Sequence, residues 1–269
     1  MTTTELVLHQ VDAFTDRPFA GNPAAVCLLD RERDDGWLRN VAAEMNLSET
    51  AFALRRDDGD WQLRWFTPKV EVDLCGHATL ATAHVLWHEC GEESECLRFH
   101  TRSGVLTATH DADSIRLAFP ARPEQAIGDD FDLVALRAAL GAEPAYVGRS
   151  RDDLLVVLER AGELRQLEPD LQRLLAIDVR GVIVTAASDD PDHDFVSRFF
   201  APRVGVPEDP VTGSAHCVLA PYWGARLGKT AMRGHQISAR GGVIGVRLTD
   251  EGVELAGQAV TVLRGKLHA

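Results

Sequence analysis

The residues best placed to do chemistry gather at two glycine-led helix starts, Gly76-His77-Ala78 and Gly213-Ser214-Ala215. Each opens an apolar stretch, so each sets unpaired backbone amides and the positive end of a helix dipole beside a short polar side chain. Glycine lets a ligand come close to that backbone. Such a start binds a carboxylate without a metal or a phosphate-loop lysine. For either start alone an ordinary helix cap is the simpler reading, and Ser214 is a good cap by type. Cys75 and His77 flank the first start; Glu208, Asp209, Pro210 and Thr212 precede the second. Asp209 by itself reads as an acid favouring the dipole. Glu49, in Asn46-Leu47-Ser48-Glu49-Thr50-Ala51-Phe52, falls between a helix and a strand and reads by itself as a solvated loop charge.

Other reactive residues carry less. His84 and His88 have a metal-capable spacing, but no Glu follows His84, so one packed and one exposed imidazole is expected. The turn from Asp189 to Asp194 lacks the Gly and terminal Glu of a calcium loop. Arg240-Gly241-Gly242-Val243-Ile244-Gly245 leads into β-branched residues, which fits a hairpin better than a nucleotide loop. No phosphate loop or GxSxG elbow occurs. Five scattered cysteines (Cys27, Cys75, Cys90, Cys96, Cys217) with no CxxC pair fit reduced thiols in a cytoplasm, with Cys75 and Cys217 in the core. No metal and no cofactor is expected.

The elements that must position these residues follow from pattern. Leu6 to Phe14 and Ala25 to Leu29 read as strands divided by turn signals at Asp16-Arg17-Pro18 and Gly21-Asn22-Pro23. Trp37 to Met45 is an amphipathic helix. A strand with Phe52 and Leu54 pairs with Trp61 to Phe66, and His77 to Trp87, apolar or small nearly all round, is a helix buried within its lobe. Leu97 to Thr109 and Ser114 to Phe119 read as one strand pair. Pro120 to Pro123 divides the chain into lobes of residues 1–119 and 120–269, leaving open whether the C-terminal strand completes the first. The second lobe holds helices near Leu133 to Leu140 and Pro169 to Ala176 and strands at Leu154 to Leu158, Gly181 to Ala186 and Ser197 to Phe200. A helix from Ser214 and strands near Val243 to Leu248 and Ala259 to Leu263 follow.

The segment Arg64-Trp65-Phe66-Thr67-Pro68-Lys69-Val70-Glu71-Val72 aligns with Arg198-Phe199-Phe200-Ala201-Pro202-Arg203-Val204-Gly205-Val206, and a glycine-led helix follows each. This is an internal duplication, with three extra residues of the second copy placed inside Pro207 to Thr212. Two similar lobes facing each other would aim both helix starts at one cleft. The 269 residues, 45% hydrophobic and 26% charged, suit one large or two small globular domains. A net charge of -13 argues against nucleic acid as the partner. No stretch has the length of a membrane span, and Glu5 to Phe14 lacks the pattern of a secretory leader. A cytoplasmic location is expected.

Four blocks in order resemble the phenazine-biosynthesis PhzF-like family. They are Phe14-Thr15-Asp16 to Phe19-Ala20-Gly21-Asn22-Pro23, Asn46 to Phe52, Cys75-Gly76-His77-Ala78-Thr79, and Glu208-Asp209-Pro210-Val211-Thr212-Gly213-Ser214-Ala215-His216. The resemblance implies an α/β (α+β), diaminopimelate epimerase-like fold. Its two pseudo-symmetric lobes are each a curved, mostly antiparallel sheet or barrel wrapped around a central helix, with the active site between them. It implies a cofactor-independent isomerase that moves a proton between carbons of a small carboxylate. Glu49 would be the general acid/base, with His77, Asp209 and Ser214 orienting or relaying protons. Gly76 and Gly213 would bind the substrate carboxylate, with Thr212 among the substrate contacts. Burial would lift a carboxyl that serves as both acid and base toward the working pH. Epimerases of this fold use two thiols; Cys75 matches one, but Thr212 stands at the other, and Cys217 comes five residues later. An epimerase is therefore a lesser reading, and so is a binding protein without chemistry, which has no need of the intact Glu49, His77, Asp209 and Ser214 set. A homodimer is expected.

Overall fold

The structure is a computed structural model and describes residues 5–111, 114–128 and 130–268. The chain forms two compact units, Met1–Phe119 with Leu255–Ala269, and Pro120–Glu254. The first contains β1 (Glu5–Ala13), β2 (Asn22–Leu29), α1 (Asp35–Met45), β3 (Glu49–Arg55) and β4 (Trp61–Phe66). It continues with β5 (Glu71–Val72), α2 (Gly76–His84), β6 (Cys96–Thr101), β7 (Gly104–Asp111) and β8 (Ser114–Phe119). The second contains β9 (Gln125–Ala126), α3 (Leu133–Leu140), β10 (Tyr146–Arg149), β11 (Asp153–Val157), α4 (Ala161–Arg165), α5 (Leu171–Leu174) and β12 (Gly181–Ala187). After these come β13 (Phe195–Ala201), β14 (Val206–Asp209), α6 (Gly213–Leu227), β15 (Ala231–Gln236) and β16 (Gly242–Thr249). Strand β17 (Gly252–Gly257) follows, and β18 (Ala259–His268) returns to lie antiparallel along β1, from Leu6↔Leu267 to Ala13↔Ala259.

α2 is the axis of the first unit. Its residues from His77 to Ala83 are all buried, and it packs against β1, β2, β3, β8 and β18. Alanine and threonine dominate it, so strands can close around a narrow rod. The buried hydroxyls of Thr79 and Thr82 donate back to the carbonyls of Cys75 and Ala78 at 2.6 and 2.7 Å, leaving no orphaned polar group. The helix ends in a π-helical turn, Val85–Glu89. α1 is a surface helix: Asp34 caps it by accepting the Trp37 amide, Asn46 ends it in the left-handed region, and Leu38, Val41 and Ala42 pack with Phe52 and Phe66. Each such fully buried aliphatic or aromatic side chain is worth about 1.5–3 kcal/mol. In the second unit, α6 buries nearly all of its residues from Gly213 to Gly224 and packs against β15 and β16. A separate core joins Leu136, Leu140, Leu154, Val182, Val184 and Phe200. No helix among the described residues is long and apolar enough to cross a membrane.

Strand pairing carries the duplication. In the first unit β1–β2 is antiparallel, β2–β3 parallel, β3–β4 and β4–β5 antiparallel, β4–β6 parallel and β6–β7 antiparallel. The second unit repeats these directions through β10–β11, β11–β12, β12–β13, β13–β14, β13–β15 and β15–β16. The match corrects the alignment of the two copies. Arg64 holds Glu71 bidentately and Arg198 holds Glu208 in the same way, and each Glu lies five residues before its helix-leading glycine. The three extra residues therefore belong to the stretch around the 3-10 turn Pro202–Val204, before β14, and not to Pro207–Thr212. The run from Leu97 to Thr109 is also two strands, turning at Arg102-Ser103 before Gly104 at φ +99°.

Candidate active site

In the first unit Glu49 opens β3 and is no loop charge: it pairs in parallel register with Ala24 of β2, and its side chain is 16% exposed. His77, on the first turn of α2, is 5% exposed and sets Nε2 3.2 Å from Glu49 Oε2. Asn22, the first residue of β2, places Nδ2 3.2 Å from His77 Nδ1, and Cys75 Sγ lies 3.6 Å from the same nitrogen. Two adjacent strands and one helix start thus deliver a carboxylate, an imidazole, an amide and a thiol to one point.

The loop before β2 is built to deliver Asn22. Phe14 and Phe19 hold the left-handed region at φ 62° and 68°, an unusual conformation for bulky residues. The buried Asp12 carboxylate accepts the Phe19 amide at 2.8 Å, and the Phe14 amide donates to the Gln258 carbonyl. Gly21, at φ +64°, is obligatory because a Cβ there would sit 2.2 Å from the Ala13 carbonyl oxygen. Strain of this kind concentrates at functional sites.

Burial pushes the Cys75 thiol up to about 11, so it is protonated at neutral pH. Burial also works against a charged His77, but Cys75 and Glu49 beside it outweigh that and hold the imidazole well above its ordinary value.

In the second unit Asp209 accepts a short hydrogen bond from Thr212 Oγ1. Gln236, fully buried, clamps this corner: its Oε1 accepts the Thr212 amide at 2.8 Å and its Nε2 donates to the Asp209 carbonyl at 2.7 Å. Ser214 does not cap α6. Its hydroxyl oxygen accepts from Arg180 Nη2 at 3.0 Å, and Arg180 is held by Asp153, itself 2% exposed, through a bidentate pair. Because that lone pair is taken, the Ser214 proton points elsewhere and the hydroxyl is a donor. The N-cap residues Cys75 and Thr212 make no side-chain cap hydrogen bond, although the Ala78 amide bonds the Cys75 thiol.

Gly76, His77 and Glu49 are thus brought together in one unit, and Asp209, Thr212, Gly213 and Ser214 in the other. Asn22, Asp153, Arg180 and Gln236 were not foreseen as site residues. Gln236 and Asp153 are remote in sequence from what they hold, so no local pattern marks them. Cys217 points its thiol at the Gly213 carbonyl inside its own helix, and burial raises it to about 12. His84 is partly buried and His88 exposed, with ring centroids 4.8 Å apart. The residues from Asp189 to Asp194 form an exposed turn in which Asp189 and Asp194 pair with Arg165 and Lys229. A cavity of about 810 Å³ in the second unit, lined by Gln125, Phe131, Arg149, Arg151 and Ile177, includes none of the motif residues.

A family model described as phenazine biosynthesis-like protein matches residues 11–265. An uncharacterized isomerase of Halalkalibacterium halodurans is 50% identical over 270 residues, covering 99% of each chain. The crystal structure of a PhzF-family phenazine biosynthesis protein from Enterococcus faecalis aligns with a TM-score of 0.94 at 40% identity, covering 99% of this chain and 100% of that one. A Pseudomonas aeruginosa protein described as a predicted epimerase aligns with a TM-score of 0.76 at 23% identity, over 98% of this chain and 99% of its own, a likeness of fold alone. Fold and relatives together define an isomerase of the diaminopimelate epimerase-like fold. The chain belongs to the phenazine biosynthesis-like protein family.

Proposed function

We propose that this isomerase transfers a proton between carbons of a small carboxylate substrate, with Glu49 as the general acid/base and no cofactor. The observation that carries the reading is the Glu49–His77 pair at 3.2 Å beside the start of α2. Glu49 stands beside His77 where it can exchange a proton with a bound substrate, and the α2 amides near Gly76 receive the substrate carboxylate. The same amides stabilise negative charge as it builds on an enolate-like intermediate. The duplication supports assigning Gly213, Thr212 and the donor hydroxyl of Ser214 to that same substrate, with Asp209 holding Thr212 in place.

Small hydroxy and amino carboxylates incubated with the protein in deuterated water test this reading. Solvent deuterium should enter a carbon of the substrate as its double bond or configuration moves. Glu49→Gln should lower exchange by at least a hundredfold, since acid/base groups contribute about 10²–10⁴, while circular dichroism and ligand affinity stay near those of the parent. Undiminished exchange in Glu49→Gln defeats the assignment. Relocation of a double bond separates isomerisation from epimerisation, which Thr212 at the second thiol position disfavours.

A further inference from the structure

The geometry points to a two-donor subsite in the second unit, made by Arg180 and Ser214, that takes a neutral acceptor oxygen of the substrate and so selects a hydroxy or keto carboxylate over its amino counterpart. This deepens the function proposed above and rests on it. Asp153 opens β11, lies opposite Gly181 in the parallel pairing with β12, and is 2% exposed, so its carboxylate needs a charged partner. Arg180 supplies it: Nε and Nη2 take the two carboxylate oxygens, and the Arg180 amide donates to the Asp152 carbonyl at 2.9 Å. The Phe199 ring lies 5.6 Å from the guanidinium carbon and covers one of its faces. Gly181 makes room for that ring, since a Cβ there would sit 2.3 Å from Phe199 Cζ. The guanidinium is thus fixed along one edge and over one face.

A guanidinium carries its five N–H groups in a rigid planar fork. The Nη2 hydrogen on the Nε side goes to Asp153, so the one that reaches Ser214 Oγ, at 3.0 Å, is on the Nη1 side. Ser214 therefore stands on the outer edge of the fork, beside Nη1. That nitrogen has no hydrogen bond among the described residues, and the side chain is 36% exposed. An oxygen set on this edge accepts from Nη1–H and from the Ser214 hydroxyl together. Asp153 already balances the guanidinium, and Asp152 and Asp209 add to the negative field around it. The edge thus offers donors without surplus positive charge, which suits a hydroxyl or carbonyl oxygen better than a second carboxylate. An ammonium group has no lone pair for either donor and would leave both unpaired. A pair that served stability alone would need neither the open edge nor the hydroxyl.

Matched acids of one carbon skeleton, lactate with alanine and malate with aspartate, incubated with the full chain in deuterated water, read the subsite. The hydroxy member should exchange with kcat/KM about tenfold or more above the amino member. Arg180→Lys keeps a cation for Asp153 but cannot serve Asp153, Ser214 and the substrate at once. It should bring the two members of a pair close to equality by slowing the hydroxy acid. Ser214→Ala should do the same with the ion pair untouched, which guards against a misfolded Arg180 variant. The two changes combined should cost less than the product of their separate effects, because both donors serve one oxygen. A hydroxy-to-amino ratio unmoved by Arg180→Lys, losses that simply multiply, or an amino member as fast as its hydroxy partner overturns the subsite. Should neither pair exchange, calorimetric binding of the same four acids decides. Binding of lactate or malate that Arg180→Lys weakens leaves the subsite standing and sinks the proton transfer. Equal affinity for both members of each pair, or no binding of any of the four, overturns the subsite as well.

Discussion

At the scale of single residues, burial shifts several groups on the two central helices. His216 is the sharpest case. It is fully buried on α6, its Nδ1 donates to the Thr212 carbonyl at 2.8 Å, and burial holds its pKa down to about 4. The unfolded chain binds this proton near 6.5, the folded chain only near 4, so protons favour unfolding between those values. The stabilisation is complete above pH 6.5, shrinks as pH falls toward 4, and then levels off. Over the whole window it amounts to about 3 kcal/mol, and about 2 kcal/mol of it is gone at pH 5. Urea unfolding at pH 7.5 and pH 5 should show a steep fall for the parent chain and a shallower one for His216→Gln. His84, held down to about 4 mainly by burial, titrates over the same range, so the difference between the two slopes is the quantity that reports His216. Equal slopes would mean that His216 is protonated in the folded chain.

At the scale of elements, the duplicated strand that leads into each central helix is braced by an arginine. Arg64 holds Glu71 and stacks 5.1 Å over Phe66; Arg198 holds Glu208, stacks 4.9 Å over Phe200, and donates to the carbonyls of Leu164 and Leu167. Each brace fixes β5 on β4, or β14 on β13, and so sets where the following glycine begins its helix. Glu208→Gln keeps the shape but leaves the guanidinium without its charged partner. A loss of about 1–3 kcal/mol is expected in chemical unfolding, between the range for exposed pairs and that for fully buried ones, together with a raised KM for the substrate. A stability equal to the parent's would mean that the two strands hold by backbone pairing alone.

The two braces also mark what could be read before any coordinates. The repeat of Arg, aromatic, Phe and Pro disclosed the duplicated strands, because those side chains recur at fixed spacing. The amphipathic period likewise disclosed α1, and a run apolar or small nearly all round disclosed α2. The insertion in the second copy was misplaced because the two valines of Val70-Glu71-Val72 align with Val204 and Val206 as well as any pair, and only strand pairing shows that Glu208 is the counterpart of Glu71. β6 and β7 merged into one run because Arg102 and Ser103 do not announce a turn by type. β10, β15 and β17 escaped notice, since Gly148, Gly234 and Gly257 dilute their apolar pattern. At the site, the family-like motifs singled out Glu49 and His77, but Asn22 beside His77 and Gln236 beneath Thr212 are joined by tertiary contact alone.

At the scale of the molecule, the net charge of -13 would repel the carboxylate substrate proposed above at a distance, so under that proposal the attraction is local, from helix amides. The first and last strands are also bound to each other: β18 runs antiparallel along the whole of β1, which on its other side pairs with β2. β1 carries the core residues Leu6, Leu8 and Val11 and lies against α2, so the first unit's core depends on the last strand of the chain. A chain ended at Gln258 should lose that unit. Four of the five tryptophans, Trp37, Trp61, Trp65 and Trp87, report on it, while Trp223 packs on Phe195 and bonds Thr185 in the second unit. Shortening should shift tryptophan emission strongly to the red and strip amide-exchange protection from β1 to β4, with β11 to β13 still protected, since their central pairings and the core beneath them lie within residues 120–254. Protection retained in β1 without its β18 partner would show that the first unit closes its core without the C-terminal strand.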